Sequence, residues 1–163
     1  MELYLMQHGE ALSKEVDPER SLSPEGQRQV ETAGRALGFM GVELGCIITS
    51  TKKRAQQTAG AVARALGLPE GRIHVVEALD PLVPPEEAIE SVVRFDEGRP
   101  ILLAGHLPSL AELAAYLMDC QRRIAFRMGG VGCLAVEKWE RGSGSLLWYL
   151  TPEQLSLMAQ EGA

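Results

Sequence analysis

The chain has 163 residues, of which 45% are hydrophobic and 23% charged, with a formal charge of −6. That length suits one domain with a substantial core, and the composition is ordinary for a globular protein. The acidic balance argues against general affinity for nucleic acid, although a local cationic pocket can sit inside an acidic surface.

Three cysteines, Cys46, Cys120 and Cys133, lack metal-ligand spacing and cannot all pair, which points to a reducing cytoplasm. Met1 to Met6 is apolar but carries Glu2, lacks a basic flank and is far too short for a membrane span. Neither an export signal nor a membrane anchor is expected, and residues 1–163 read as a single cytoplasmic domain.

Glu2-Leu3-Tyr4-Leu5-Met6 predicts a first strand, with Leu3 and Leu5 on one face and Tyr4 and Met6 on the other. A polar loop, Ser13 to Ser21, leads to Ser23-Pro24-Glu25, in which serine suits an N-cap and proline the first helical position. Val30, Ala33, Leu37 and Met40 continue that helix at the right spacing. Cys46-Ile47-Ile48-Thr49 predicts a second strand, after which Ser50 or Thr51 can cap a helix carrying Ala55, Ala59, Val62 and Leu66 on one face. Gly67 and Pro69 stop it. Ile73-His74-Val75-Val76 predicts a short third strand with His74 facing solvent, and Ile89, Val92 and Val93 a short helix beyond the Pro81–Pro85 loop.

Pro100 to Gly105 predicts a fourth strand, followed by a helix with Pro108 at its first position and Leu110, Leu113, Ala114, Leu117 and Met118 inward. Val131–Trp139 and Ser145–Leu150 read as a hairpin, and Thr151-Pro152-Glu153-Gln154 as a capping box opening a last helix. Alternation of strands and helices implies an α/β fold: a three-layer α/β/α sandwich around a mostly parallel sheet of five or six strands.

Two histidines stand out. His8, followed by Gly9, ends the first strand, and His106 ends the fourth, where open α/β sheets place their ligands. Two imidazoles at two strand ends can face one pocket, and a neutral imidazole is nucleophilic near neutral pH. Arg54, in the first turn of the second helix, can reach over the strand ends and combine with free backbone N–H groups to receive a dianion. His106 precedes another helix N-terminus, which favours a bound anion. Arg20 lies in the loop after the first strand, where binding groups commonly sit. Each has a plainer reading: a strand-end histidine bonding a loop carbonyl, a helix-capping histidine, or a solvated arginine. Glu10 can cap a helix or orient His8, and Trp139 and Trp148 read as sheet packing.

Leu5-Met6-Gln7-His8-Gly9-Glu10-Ala11, Arg20-Ser21-Leu22-Ser23-Pro24-Glu25-Gly26, Thr49 to Ala59 and Ala104-Gly105-His106-Leu107-Pro108, in this order and separation, resemble the histidine phosphatase superfamily. This phosphoglycerate mutase-like family includes a short bacterial branch, the SixA-type phosphohistidine phosphatases, to which the likeness is greatest. The resemblance implies that His8 is the nucleophile and forms a phosphohistidine intermediate. It implies a phosphate pocket of Arg54 and His106, a further phosphate or substrate contact at Arg20, contributions from Gln7 and Gly9, and no metal or other cofactor.

Two departures matter. The family pattern is arginine-histidine-glycine, and Gln7 occupies the arginine place. Glutamine keeps an amide donor but loses the charge and the forked geometry, and removing one preorganised donor typically costs roughly 10²–10³ in rate. The lost charge is also expected to leave His8 more readily protonated. Larger family members carry an acid for the leaving group, whereas here the segment reads Glu77-Ala78-Leu79-Asp80-Pro81, with proline at the expected place. Asp80 or Glu77 can serve, or can be merely solvated. A phosphorylated imidazole needs less help to leave than an alkoxide. The resemblance therefore implies a phosphatase acting on phosphohistidine in a protein, such as a phosphorelay domain, with weakened catalysis. The alternatives are a phosphate- or phosphoprotein-binding pseudoenzyme and a small-molecule phosphomonoesterase.

Overall fold

The computed structural model describes residues 1–161. In chain order the elements are β1 (Glu2–Gln7), α1 (Pro24–Phe39), β2 (Cys46–Thr49), α2 (Lys53–Leu66), β3 (Ile73–Val75), α3 (Pro85–Val92), β4 (Ile101–Gly105), α4 (Ser109–Met118), β5 (Val131–Val136), β6 (Gly144–Leu150) and α5 (Pro152–Glu161). The six strands form one sheet in the order β3-β2-β4-β1-β5-β6. β3, β2, β4 and β1 are mutually parallel, while β5 runs antiparallel to both β1 and β6.

The pleat of β1 sorts its side chains between two cores, as expected. Leu3 and Leu5 join Ile101, Leu103, Ile89, Val92, Leu110 and Leu113 beneath α3 and α4. Tyr4 and Met6 join Val30, Leu37, Val62, Leu102 and Leu155 beneath α1, α2 and α5. These are the two apolar interlayers of a three-layer α/β/α sandwich, and burial of such side chains is the main favourable term for the fold, at roughly 1.5–3 kcal/mol each.

This layering sets the site. The chain leaves β1 towards the α1 face and leaves β4 towards the α4 face, although β1 and β4 are neighbours in register from Leu3↔Ile101 to Gln7↔Gly105. Adjacent parallel strands whose helices depart to opposite faces leave a crevice at their carboxyl ends. The ladder runs to its lip, where the His8 N–H donates to the Gly105 carbonyl at 3.1 Å.

Most helix ends follow the sequence. Ser23 caps α1, its Oγ accepting the Gly26 N–H at 3.0 Å, with Pro24 in the first turn. Thr151 and Gln154 exchange both capping-box bonds, at 3.0 and 3.2 Å. Gly67 ends α2 with φ +67°, a left-handed conformation that glycine adopts without steric cost.

Other ends differ from expectation. The N-cap of α2 is Lys52, without a side-chain cap: the Thr51 hydroxyl is turned to the Asp80 carboxylate at 2.7 Å, and Ser50 Oγ accepts the Lys52 N–H at 3.2 Å. Pro108 stands at the N-cap of α4 rather than inside it. The fifth strand ends at Val136, short of Trp139, whose indole N–H instead donates to Asp96 at 2.8 Å. His74 does not simply face solvent: it stacks on Phe95 with ring centroids 4.4 Å apart. Among the described residues no helix is long and apolar enough to cross a membrane.

Candidate active site

β1 delivers His8 and β4 delivers His106 to the same crevice. The two rings lie 5.1 Å apart between centroids and are tilted by 55°. Both are buried, at 7% and 2% exposure. Arg54, in the first turn of α2, brings its Nε–H to 3.3 Å from His8 Nε2. Three residues far apart in the chain therefore meet at one place.

The hydrogen bonds fix the state of His8. Its Nδ1 lies 2.7 Å from the Gly9 carbonyl oxygen, which can only accept, so Nδ1 carries the proton. Nε2 is then left with a lone pair, the atom towards which Arg54 donates. Burial, with repulsion from Arg54 and Arg20, pushes the His8 pKa down to about 4, against the opposing effect of the bond to Gly9. Desolvation is the largest of these effects, so the buried ring is neutral near pH 7 with Gln7 in place. Burial together with the nearby His8 and Arg54 pushes His106 down to about 3. Its Nε2 meets the Ser50 hydroxyl at 2.7 Å, whereas Nδ1 is buried without a partner.

The turn bearing His8 is held by contacts that leave no room for side chains. A Cβ on Gly9 would lie 2.7 Å from Val30 Cγ1 and 2.9 Å from the Gly26 carbonyl oxygen. One on Gly26 would lie 2.0 Å from the Glu10 carbonyl oxygen. This close approach packs the start of α1 against the turn, and Ser23 seals it by donating its N–H to that same carbonyl at 2.9 Å. Glu10 belongs to this helix entry: its carboxylate accepts the Ser23 hydroxyl at 3.0 Å. From α2, Thr58 Oγ1 accepts the Gly9 N–H at 3.1 Å and donates to the Arg54 carbonyl at 2.8 Å.

Arg20 borders the same crevice. Its backbone is left-handed, with φ +51°, and its Nε–H donates to the Leu12 carbonyl at 3.2 Å. Asp17 braces this bend by accepting the N–H groups of Glu19 and Ser21, both at 3.0 Å, and the Ser21 hydroxyl. The charge of Arg20 is near enough to depress the pKa of both His8 and Arg54. Gln7 ends β1, and its Oε1 is buried with no partner. Asp80 is not a freely solvated carboxylate: it accepts the N–H and hydroxyl of Thr51 and lies 3.9 Å from Lys52 Nζ. Glu77 is exposed in a short turn before it.

Sequence reasoning found the two histidines and both arginines but missed Ser50, Thr58 and Asp17, which support them. A signal existed for Thr58, which lies one helical turn beyond Arg54 and so on the same face of α2. Ser50 directly follows the buried strand β2, at the sheet end that carries the histidines. Only Asp17 had no comparable cue.

Comparison with known proteins agrees with this geometry. The model of the histidine phosphatase superfamily (branch 1) matches residues 3–80, which span β1 to Asp80. Among solved structures, the protein histidine phosphatase SixA complexed with tungstate is 25% identical with a TM-score of 0.85, covering 95% of this chain and 99% of its own. A putative phosphohistidine phosphatase SixA from Nakamurella multipartitia is 21% identical with a TM-score of 0.74, over 93% of this chain and 95% of that one. The mycobacterial glucosyl-3-phosphoglycerate phosphatase, 16% identical with a TM-score of 0.72, covers 92% of this chain and 99% of its own and shares the fold. No curated protein sequence matches the chain. Over residues 3–80 the chain matches the model of the histidine phosphatase superfamily, and along nearly its whole length it shares the fold of SixA-type members, so it is similar to that superfamily in both sequence pattern and architecture.

Proposed function

We propose that residues 1–163 act as one cytoplasmic, metal-independent phosphatase domain that removes phosphate from phosphohistidine in a protein, such as a phosphorelay domain. One observation carries the reading: His8 is buried, neutral and fixed as the tautomer whose Nε2 lone pair lies under Arg54. Nε2 attacks phosphorus in line, forming the N–P bond of an enzyme phosphohistidine while the bond from phosphorus to the substrate imidazole breaks. That imidazole leaves with the electron pair and takes a proton from solvent water. Water then cleaves the phosphoenzyme, releasing phosphate and restoring His8. The Arg54 guanidinium and the His106 ring serve the equatorial oxygens, and Arg20 adds positive potential beside them. The Gly9 carbonyl accepts the hydrogen bond from Nδ1–H and so orients the nucleophile, while Gln7 offers an amide to the phosphate pocket.

The protein-substrate reading draws support from the surface around the crevice. Val16, Leu82, Leu107 and Met128 are large apolar side chains exposed on segments that border it. Asp80, committed to Thr51 and Lys52, is poorly placed to donate a proton to an alcohol leaving group, which weighs against a phosphomonoesterase. A second reading, the phosphoprotein-binding pseudoenzyme, is favoured by Gln7, which lacks the charge and leaves a buried oxygen unpaired.

Rapid quenching with a labelled phosphohistidine peptide decides between the two. An acid-labile phosphoenzyme is expected in the parent, absent in His8→Asn, and formed roughly 10²–10³ faster in Gln7→Arg, the converse of losing one oxyanion donor. If neither parent nor Gln7→Arg is phosphorylated or turns over, the catalytic reading fails and the binding reading stands.

A further inference from the structure

Beside the crevice lies a groove of about 690 Å³ lined by Lys14, Arg20, Lys52, Lys53 and Arg54, together with Glu19, Thr51 and Gln56. Five cations gathered along one groove are conspicuous in a chain of net charge −6. Their neutralisation is partial: Lys53 pairs with Glu19 at 3.1 Å and Lys52 approaches Asp80 at 3.9 Å. Lys14, Arg20 and Arg54 have no carboxylate within ion-pair distance among the described residues. Arg54 lies at the inner end of the groove, against His8 Nε2, so a substrate seated on the phosphate pocket continues directly into it. The outer wall is preformed, since Asp17 holds the Arg20 bend through three accepted bonds.

A single phosphoryl group engages only the inner end. Lys14, exposed on the loop before Arg20 and unpaired among the described residues, and Lys53, exposed on the first turn of α2 and paired only with the exposed Glu19, lie further out. We infer that this groove recognises carboxylate side chains flanking the phosphorylated histidine on a protein substrate, an inference that rests on the function proposed above. Charge complementarity identifies the occupant, and the exposed apolar side chains bordering the crevice suit a macromolecular surface rather than a free polyanion.

Two fluorescent peptides test this, each bearing a non-hydrolysable phosphonate analogue of phosphohistidine, one with Asp and Glu flanks and one with Ser and Lys flanks. At low salt the acidic peptide should bind about tenfold more tightly, as a few exposed ion pairs allow. The preference should shrink as salt rises and fall to within about twofold in the Lys14→Glu, Lys53→Gln double variant. Equal binding of the two peptides, a preference that survives the double variant, or tripolyphosphate binding as tightly as the acidic peptide would overturn the assignment. Turnover of free phosphohistidine and labelling of His8, measured in parallel, report on the catalytic reading alone. Their absence would leave the binding preference standing.

Discussion

Thr58→Val tests whether the turn carrying His8 is held from α2. Valine keeps the shape of threonine in a site with 0% exposure, so little cavity or clash is introduced. What disappears is the hydroxyl that accepts the Gly9 N–H at 3.1 Å. The Arg54 carbonyl also loses its bond to that hydroxyl but keeps its helical N–H partner, so most of the cost falls on Gly9. A buried N–H left unsatisfied costs about 1–3 kcal/mol. For a chain of this size that lowers the melting temperature by roughly 3–10 °C. Gly9 also supplies the carbonyl that fixes the His8 tautomer, so loosening it should slow phosphoenzyme formation by about tenfold, in keeping with the sensitivity of transfer reactions to small displacements. Thr58→Ser, which retains the hydroxyl, should lose some stability but keep the rate. Urea unfolding and quench-flow labelling measure the two effects. A Thr58→Val protein with parental stability and parental phosphorylation rate would show that Thr58 does not hold the turn.

Gly26→Ala should destabilise by at least about 1–3 kcal/mol, through overpacking of its methyl against the Glu10 carbonyl. A raised urea midpoint, as alanine's helix propensity alone would give, would contradict that packing. Because the pKa values of His8 and His106 are lowered to about 4 and about 3, the folded state binds fewer protons than the unfolded one below about pH 6.5. The neutral rings therefore cost nothing above that pH, and stability falls as pH drops from 6.5 towards 4, by up to roughly 1.4 kcal/mol per pH unit for each ring. Denaturant titrations at several pH values should show this slope reduced in His8→Asn, and an unchanged slope would contradict it. For the same reason the acid limb of the rate profile should lie near pH 4 rather than near 6.5. Asp80→Asn should change phosphohistidine turnover at neutral pH by no more than about threefold, whereas a loss of the 10²–10⁴ that acid catalysis supplies would make Asp80 the proton donor.

The elements were legible from local patterns because their causes are local. Alternation in β1, the Ser23-Pro24 entry to α1, Gly67 at the end of α2 and the Thr151–Gln154 box each follow from a few consecutive residues. Where a distant group intervened, local reading failed: Asp80 drew the Thr51 hydroxyl away from the helix end, and Phe95 covered His74. The low pKa of His8 was hidden for a similar reason, because its burial is a property of the packed crevice and not of its neighbours in sequence.

The sequence by itself determined which residues could do chemistry, and that two histidines end strands. Only the tertiary structure decided that β1 and β4 lie side by side, so that rings 98 positions apart in the chain come within 5.1 Å. Strand order depends on how two apolar faces are covered at once, a condition on the whole sheet that no single strand encodes. The tautomer of His8, the bracing of Gly9 by Thr58 and the gathering of cations beside Arg54 all follow from that packing.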